Sequence, residues 1–192
     1  MSVGRAILVV AMCASCGGAH PSPSSAATSV SSEKLAGTDG AMHEILPRGS
    51  ERYAVVIFFS ADCHILKLHD ERLRRIATHF GEKGVRFYGV DSERGATLDR
   101  DRAEAERRSY SFPILLDEGA RLAKMLGAQY AGHVVVIDGR GAILFRGGID
   151  SDRIRLTDGA TWYLNDALAD LLGGQSPRIA DAKTLGCALR TW

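Results

Sequence analysis

The sequence predicts an α/β fold: one domain with a central mixed sheet flanked by helices, preceded by a flexible N-terminal tether. Three observations lead there. Apolar, β-branched runs alternate with stretches of helical periodicity. The alternation ends in a hairpin and a closing helix. A chain of 192 residues, 45% hydrophobic and 24% charged, also has the make-up of one ordinary globular domain with at most an appendage.

Residues 1–15 have the layout of a secretory signal peptide, with Arg5, then the apolar stretch from Ala6 to Met12, then small residues. The segment is too short to remain in a bilayer as a spanning helix. Its end, Ala14-Ser15-Cys16 before Gly17-Gly18, resembles a bacterial lipobox, which implies acylation of Cys16 as the first residue of the mature chain. Cys13 fits that pattern less well, and a plain signal peptide with incidental cysteines is the simpler alternative. Residues 16–41 are expected to form the tether. Between residues 17 and 32, eleven of sixteen residues are Gly, Ser, Thr or Pro and none is charged, which leaves too little apolar surface to order the backbone. A flexible chain of this length reaches about 25–30 Å, leaving His20 solvated and the domain, residues 42–192, clear of its anchor.

Within the domain, residues 53–59 (YAVVIFF) are an uninterrupted apolar run, as expected of a strand buried on both faces. Over residues 63–80, Leu66, Leu73, Ile76 and Phe80 recur at helical spacing, with Lys67, Asp70, Glu71, Arg74 and Arg75 on the other side. Residues 85–90 (VRFYGV) read as a second strand. Residues 97–109 are dense in charge, with Glu104 and Arg108 one turn apart, and a solvated helix face accounts for them. A short strand is expected at 114–116 and a helix at 119–126. Residues 134–137 and 142–146 flank the turn Asp138-Gly139-Arg140-Gly141, whose glycines supply positive φ for a hairpin. Residues 163–172 are amphipathic and close the fold as a helix.

Charge excludes one class of function. Lys and Arg total 24 against 23 Asp and Glu, and loss of residues 1–15 removes Arg5 alone, so no basic excess marks a nucleic-acid binder. Contact with a membrane is expected only through the lipid anchor. The four cysteines, Cys13, Cys16, Cys63 and Cys187, are too few for a disulfide scaffold and are not spaced as a zinc site. Their individual positions carry the meaning.

The order of elements, the stretch FFSADC that puts Cys63 at a strand-to-helix junction, and GAQYAGHVVVIDGRGAILFRGGID together resemble the thioredoxin-like redoxins, which include envelope thiol-disulfide oxidoreductases and peroxiredoxins. The likeness spans about residues 42–173. The tail GCAL around Cys187 is similar to a GCxI-type ending of some secreted redoxins. Two departures stand out. In Cys63-His64-Ile65-Leu66 the motif's second cysteine is replaced by Leu66, and Ala131-Gly132-His133 lacks the cis-proline that the family places before the strand at 134. Ser60 supplies the Ser or Thr that peroxiredoxins carry three residues before their cysteine. Val56, however, stands in place of their proline, and their arginine near Gly132 is missing, so peroxidase activity is disfavoured.

A thiol in the first turn of a helix meets free N–H groups and a positive dipole end, both of which stabilise thiolate, the nucleophilic form. This makes Cys63 the candidate nucleophile. His64 would assist as a cation and Asp62 would oppose by repulsion; an inert buried cysteine is the alternative. Bonding Cys63 to Cys187 would close a loop of more than a hundred residues, worth about 4–5 kcal/mol by chain entropy, so Cys187 is either a staple or a distant resolving cysteine. His133 falls near the missing proline, and Cys63, His133 and Cys187 form a candidate copper or zinc ligand set. His69 and His79 are expected to pack or face solvent. The expected function is envelope thiol-disulfide exchange on protein thiols or disulfides through Cys63, with no cofactor, no resident metal and no nucleic-acid partner. A metal-binding chaperone and a redox-inactive interaction module are the alternatives.

Overall fold

The computed structural model describes Met1, Val30 and residues 34–191. The signal peptide, Cys13, Cys16, His20 and most of the expected tether lie outside the described residues. In chain order the elements begin with β1 (Lys34–Ala36), β2 (Met42–Glu44), β3 (Tyr53–Phe59), α1 (His64–Leu68) and α2 (Asp70–Gly81). They continue with β4 (Val85–Asp91), α3 (Leu98–Arg107), β5 (Ile114–Leu116), a 3-10 turn at Glu118–Ala120 and α4 (Arg121–Leu126). The last are β6 (Val134–Asp138), β7 (Ile143–Gly147) and α5 (Tyr163–Leu172).

The central sheet has the order β5-β4-β3-β6-β7. β3 and β5 run parallel to β4, while β6 is antiparallel to β3 and β7 antiparallel to β6, giving the expected mixed sheet. β3 lies at the centre and its side chains divide by parity, as the pleat requires. Val55, Ile57 and Phe59 enter one apolar layer with Leu66, Leu73, Ile76 and Leu168. Ala54, Val56 and Phe58 enter the other with Leu122 and Leu126. Among the described residues no helix is long and apolar enough to cross a membrane.

Three sequence expectations need correction. Residues 34–41, expected as tether, are ordered: β1 pairs with β2, Leu35 is buried, Gly37 bridges Leu115, and the Thr38 N–H donates to the Ile114 carbonyl at 2.9 Å. Two strands of three residues without a β-branched side chain leave no periodic signal, and their order comes from docking on the open edge of β5.

The single helix expected over 63–80 is broken at His69, which ends α1 and begins α2. The buried imidazole accounts for the break, its Nδ1 donating to the Ile65 carbonyl at 2.9 Å and its Nε2 to Asp150 Oδ1 at 3.1 Å. Arg72 reinforces the joint, reaching Asp150 at 2.7 Å, Asp152 at 2.9 Å and the Thr157 carbonyl at 2.9 Å while lying over the Trp162 ring. His79 is exposed.

The charge-dense helix is not a solvated face throughout. Asp101, Glu104 and Arg108 are all buried, because the helix lies against the sheet with one polar side inward; Glu104 and Arg108 pair with each other there, whereas both carboxylate oxygens of Asp101 lack a hydrogen-bond partner among the described residues.

Candidate active site

β3 ends at Phe59, and the turn Ser60-Ala61-Asp62 delivers Cys63 to the N-cap of α1. The turn is closed by the Cys63 N–H, which donates to the Ser60 carbonyl at 3.3 Å. Cys63 has extended backbone angles, φ −76° and ψ 102°, and its Sγ accepts the Leu66 N–H at 3.3 Å. This is the geometry of a serine cap with sulfur in place of oxygen. Since α1 has five residues, the influence on the sulfur is this local N–H rather than a long helix dipole. Cys63 is 1% exposed.

Cys63 is joined to Cys187 in a disulfide, with Cα atoms 5.6 Å apart and a separation of 124 positions in sequence. The tail that brings Cys187 there first follows β7, the Ala182 N–H donating to the Arg146 carbonyl at 2.9 Å and the Arg146 N–H to Ala180 at 3.0 Å. It then crosses to residues 129–131. There Tyr130 and Ala188 form an antiparallel bridge, the Ala131 N–H donates to the Cys187 carbonyl at 2.9 Å, and the Leu189 N–H donates to Gln129 at 2.9 Å. With no proline in this segment, Ala131 keeps the N–H that holds the tail, and the Gly132 N–H bonds the Phe58 carbonyl at 2.8 Å. Gly132 has φ +86°, a left-handed turn that suits glycine.

The charged groups around the turn differ from their sequence reading. Asp62 is exposed and salt-bridged by Arg100 and by Arg190 of the tail, and these two guanidiniums hold its carboxyl below the usual range. Its repulsion of a thiolate is thereby offset. His64 is exposed at the start of α1. Ser60 is buried and donates to Glu93 Oε2 at 2.9 Å, so its hydroxyl proton is committed away from the sulfur. Glu93 also takes Arg190 Nη2 at 3.2 Å.

His133 is half-buried, its Nδ1 against Thr184 Oγ1 at 2.8 Å, and burial first, then Arg146, pushes its pKa down. Among the described residues no three His, Cys, Asp or Glu side chains are placed to hold a metal ion. The candidate ligand set of Cys63, His133 and Cys187 is therefore not assembled, its two sulfurs being bonded to each other.

Sequence reading missed two groups. The buried Arg108 guanidinium donates to the Ala61 carbonyl at 2.9 Å and the Ser60 carbonyl at 3.3 Å, so it grips the two peptide units just before Asp62 and Cys63. Glu104 Oε1 holds its Nε at 2.7 Å, and it lies 4.9 Å over the Phe59 ring. The second group is Asp91 and Asp101. Burial raises both carboxyls, Asp91 to about 8 and Asp101 to about 6. A carboxylate closing the apolar strand VRFYGVD was the available signal for Asp91.

The family model described as AhpC/TSA family matches residues 23–146, well over half of the chain. The chain belongs to the AhpC/TSA family. No curated protein matches the sequence. Among solved structures, the AhpC/TSA chain is similar to an uncharacterized conserved protein from Geobacillus kaustophilus, with TM-score 0.75, 23% identity, and 85% of this chain and 91% of that one covered. It is also similar to a thioredoxin-like protein from Aeropyrum pernix, with TM-score 0.51, 16% identity, and 62% and 83% covered. A thiol-disulfide oxidoreductase from Bacteroides fragilis aligns with TM-score 0.54, 16% identity, and 62% and 88% covered. The fold of this AhpC/TSA member is thus thioredoxin-like.

Proposed function

We propose that this protein is a thiol-disulfide oxidoreductase of the cell envelope, anchored through an acylated Cys16, with Cys63 as nucleophile and Cys187 as a distant resolving cysteine. The observation that carries the reading is the Cys63–Cys187 bond at the N-cap of α1, with the Leu66 N–H on the Cys63 sulfur. Family membership supports it. Cys63 is buried whereas Cys187 is half-exposed, so an outside thiolate reaches Cys187 first and expels Cys63 as a thiolate that the N–H stabilises. A second thiolate of the reductant then displaces Cys187 from its mixed disulfide; the Cys63 thiolate attacks a substrate disulfide and one substrate sulfur leaves as thiolate, and the Cys187 thiolate attacks the Cys63 sulfur, re-forming the Cys63–Cys187 bond as the other substrate sulfur leaves.

Equilibration with glutathione or dithiothreitol buffers tests the reading. A redox couple is expected on the order of −120 to −270 mV, and a value below about −300 mV would assign the bond to stapling alone. Cys187→Ser is expected to accumulate mixed disulfides and Cys63→Ser to form none. Mass spectrometry of the mature protein checks the anchor, with an acylated Cys16 as the expected N-terminus.

A further inference from the structure

The tail does more than deliver a sulfur. Residues 187–189 lie along residues 129–131 as an added antiparallel strand, with two main-chain hydrogen bonds of 2.9 Å and one bridge. Main-chain bonds of this kind are indifferent to side chains, and selectivity then arises where side chains meet the edge. Two positions of the tail make such demands. A Cβ at Gly186 would stand 1.9 Å from the Ala131 carbonyl oxygen, which is backbone and cannot swing aside. Three residues after the cysteine, Arg190 reaches both Asp62 and Glu93, and those carboxylates lose this partner whenever the tail departs.

We propose that residues 129–131 dock an extended substrate polypeptide of the pattern Gly-Cys-x-x-Arg or Gly-Cys-x-x-Lys, and that the chain's own segment Gly186–Arg190 is a built-in competitor for that edge. This rests on Cys63 being the nucleophile. After an outside dithiol reductant has opened the Cys63–Cys187 bond, the tail leaves the edge and a disulfide-bonded substrate pairs there. The Cys63 thiolate attacks the substrate sulfur that follows glycine; the Cys63–substrate bond forms and the substrate's other sulfur departs as thiolate. The Cys187 thiolate then attacks Cys63, the Cys63–Cys187 bond re-forms, and the first substrate sulfur leaves as thiolate. The substrate is reduced by two electrons and the protein's dithiol oxidised by two. Because the returning tail re-forms the same main-chain bonds, resolution and product ejection are one event.

The experiment uses the full-length Cys187→Ser protein and the symmetric disulfides of three short peptides containing Gly-Cys-Ala-Leu-Arg, Ala-Cys-Ala-Leu-Arg or Gly-Cys-Ala-Leu-Glu. Mass spectrometry follows their mixed disulfides with Cys63. Replacing the glycine is expected to slow trapping at least about tenfold, the worth of one main-chain hydrogen bond. Replacing the arginine should slow it about threefold at low salt, with the difference shrinking as salt rises. Equal rates for all three peptides would overturn the proposal. So would capture of a small aromatic disulfide with capture of none of the peptides, while leaving Cys63 a nucleophile. Failure to react with any disulfide would overturn the enzymatic reading and this one with it. Independently, Gly186→Ala in the otherwise unchanged protein should make the Cys63–Cys187 bond about tenfold easier to reduce in a glutathione buffer, since the tail can no longer seat; an unchanged equilibrium would overturn the proposal.

Discussion

Arg108 holds the site by its backbone, through the carbonyls of Ser60 and Ala61, while its charge is balanced by Glu104 and, at 3.7 Å, Asp70. Removing one member of a buried pair leaves the other charge uncompensated. Arg108→Met is therefore expected to cost about 3–5 kcal/mol, read from urea midpoints, with Arg108→Lys recovering part because the charge returns without the fork. Asp91 makes the opposite kind of contribution. Its carboxyl is raised from 3.8 to about 8 by burial, so in the folded state it holds a proton that the unfolded chain has released over that interval. Its contribution to stability is full below pH 3.8, declines as pH rises, and is gone above about 8. Wild type should accordingly lose stability between pH 5 and pH 8, by up to roughly 1.4 kcal/mol per unit, and Asp91→Asn should flatten that slope. The sequence reading put Arg108 on a solvated face and passed over Asp91 for one reason. Cys63 and Cys187 are legible from residue type and position, whereas the inward turn of a charge is decided by what packs over it.

The elements that sequence periodicity located well are those whose burial is symmetric. β3 and β6 are apolar on both faces because layers cover both, and their strings show it directly. The break between α1 and α2 left no such trace, since helical spacing of apolar residues continues through His69. That joint carries its own titration. Burial opposes the imidazolium, but bonds to Asp150 and the Ile65 carbonyl outweigh it and raise His69 above 6.5, while Asp150, paired with His69 and Arg72, falls below 3.8. The His69 contribution is full below pH 6.5 and lost as pH rises through the raised value. The Asp150 contribution is present above pH 3.8 and lost as pH falls through the depressed one. His69→Leu should loosen both the start of α2 and the loop it holds, seen as faster amide exchange in residues 150–157 than in β3.

At the scale of the whole molecule, the disulfide ties residue 63, just past the end of the central strand, to residue 187 near the end of the chain. Closing a loop of 124 residues limits the unfolded ensemble, so reduction is expected to cost about 4–5 kcal/mol and to lower the thermal midpoint, checked by calorimetry with and without reductant. The core itself does not depend on the bond, and the reduced protein should stay folded, with near-ultraviolet circular dichroism retained. The two ends of the chain also divide a task. The N-terminal segment lies on the outer edge of β5 through Gly37 and Leu115, and the C-terminal segment lies on the outer edge of β7 through Asp181 and Arg146. An uncovered strand edge is a template for pairing with another molecule. One of these two covers is held by contacts alone, whereas the other is backed by a covalent bond that electrons can open. Tendency to polymerise is thereby coupled to redox state: oxidised molecules are insulated on both flanks, and under reducing conditions one flank becomes adhesive, so light scattering should grow with concentration only after reduction.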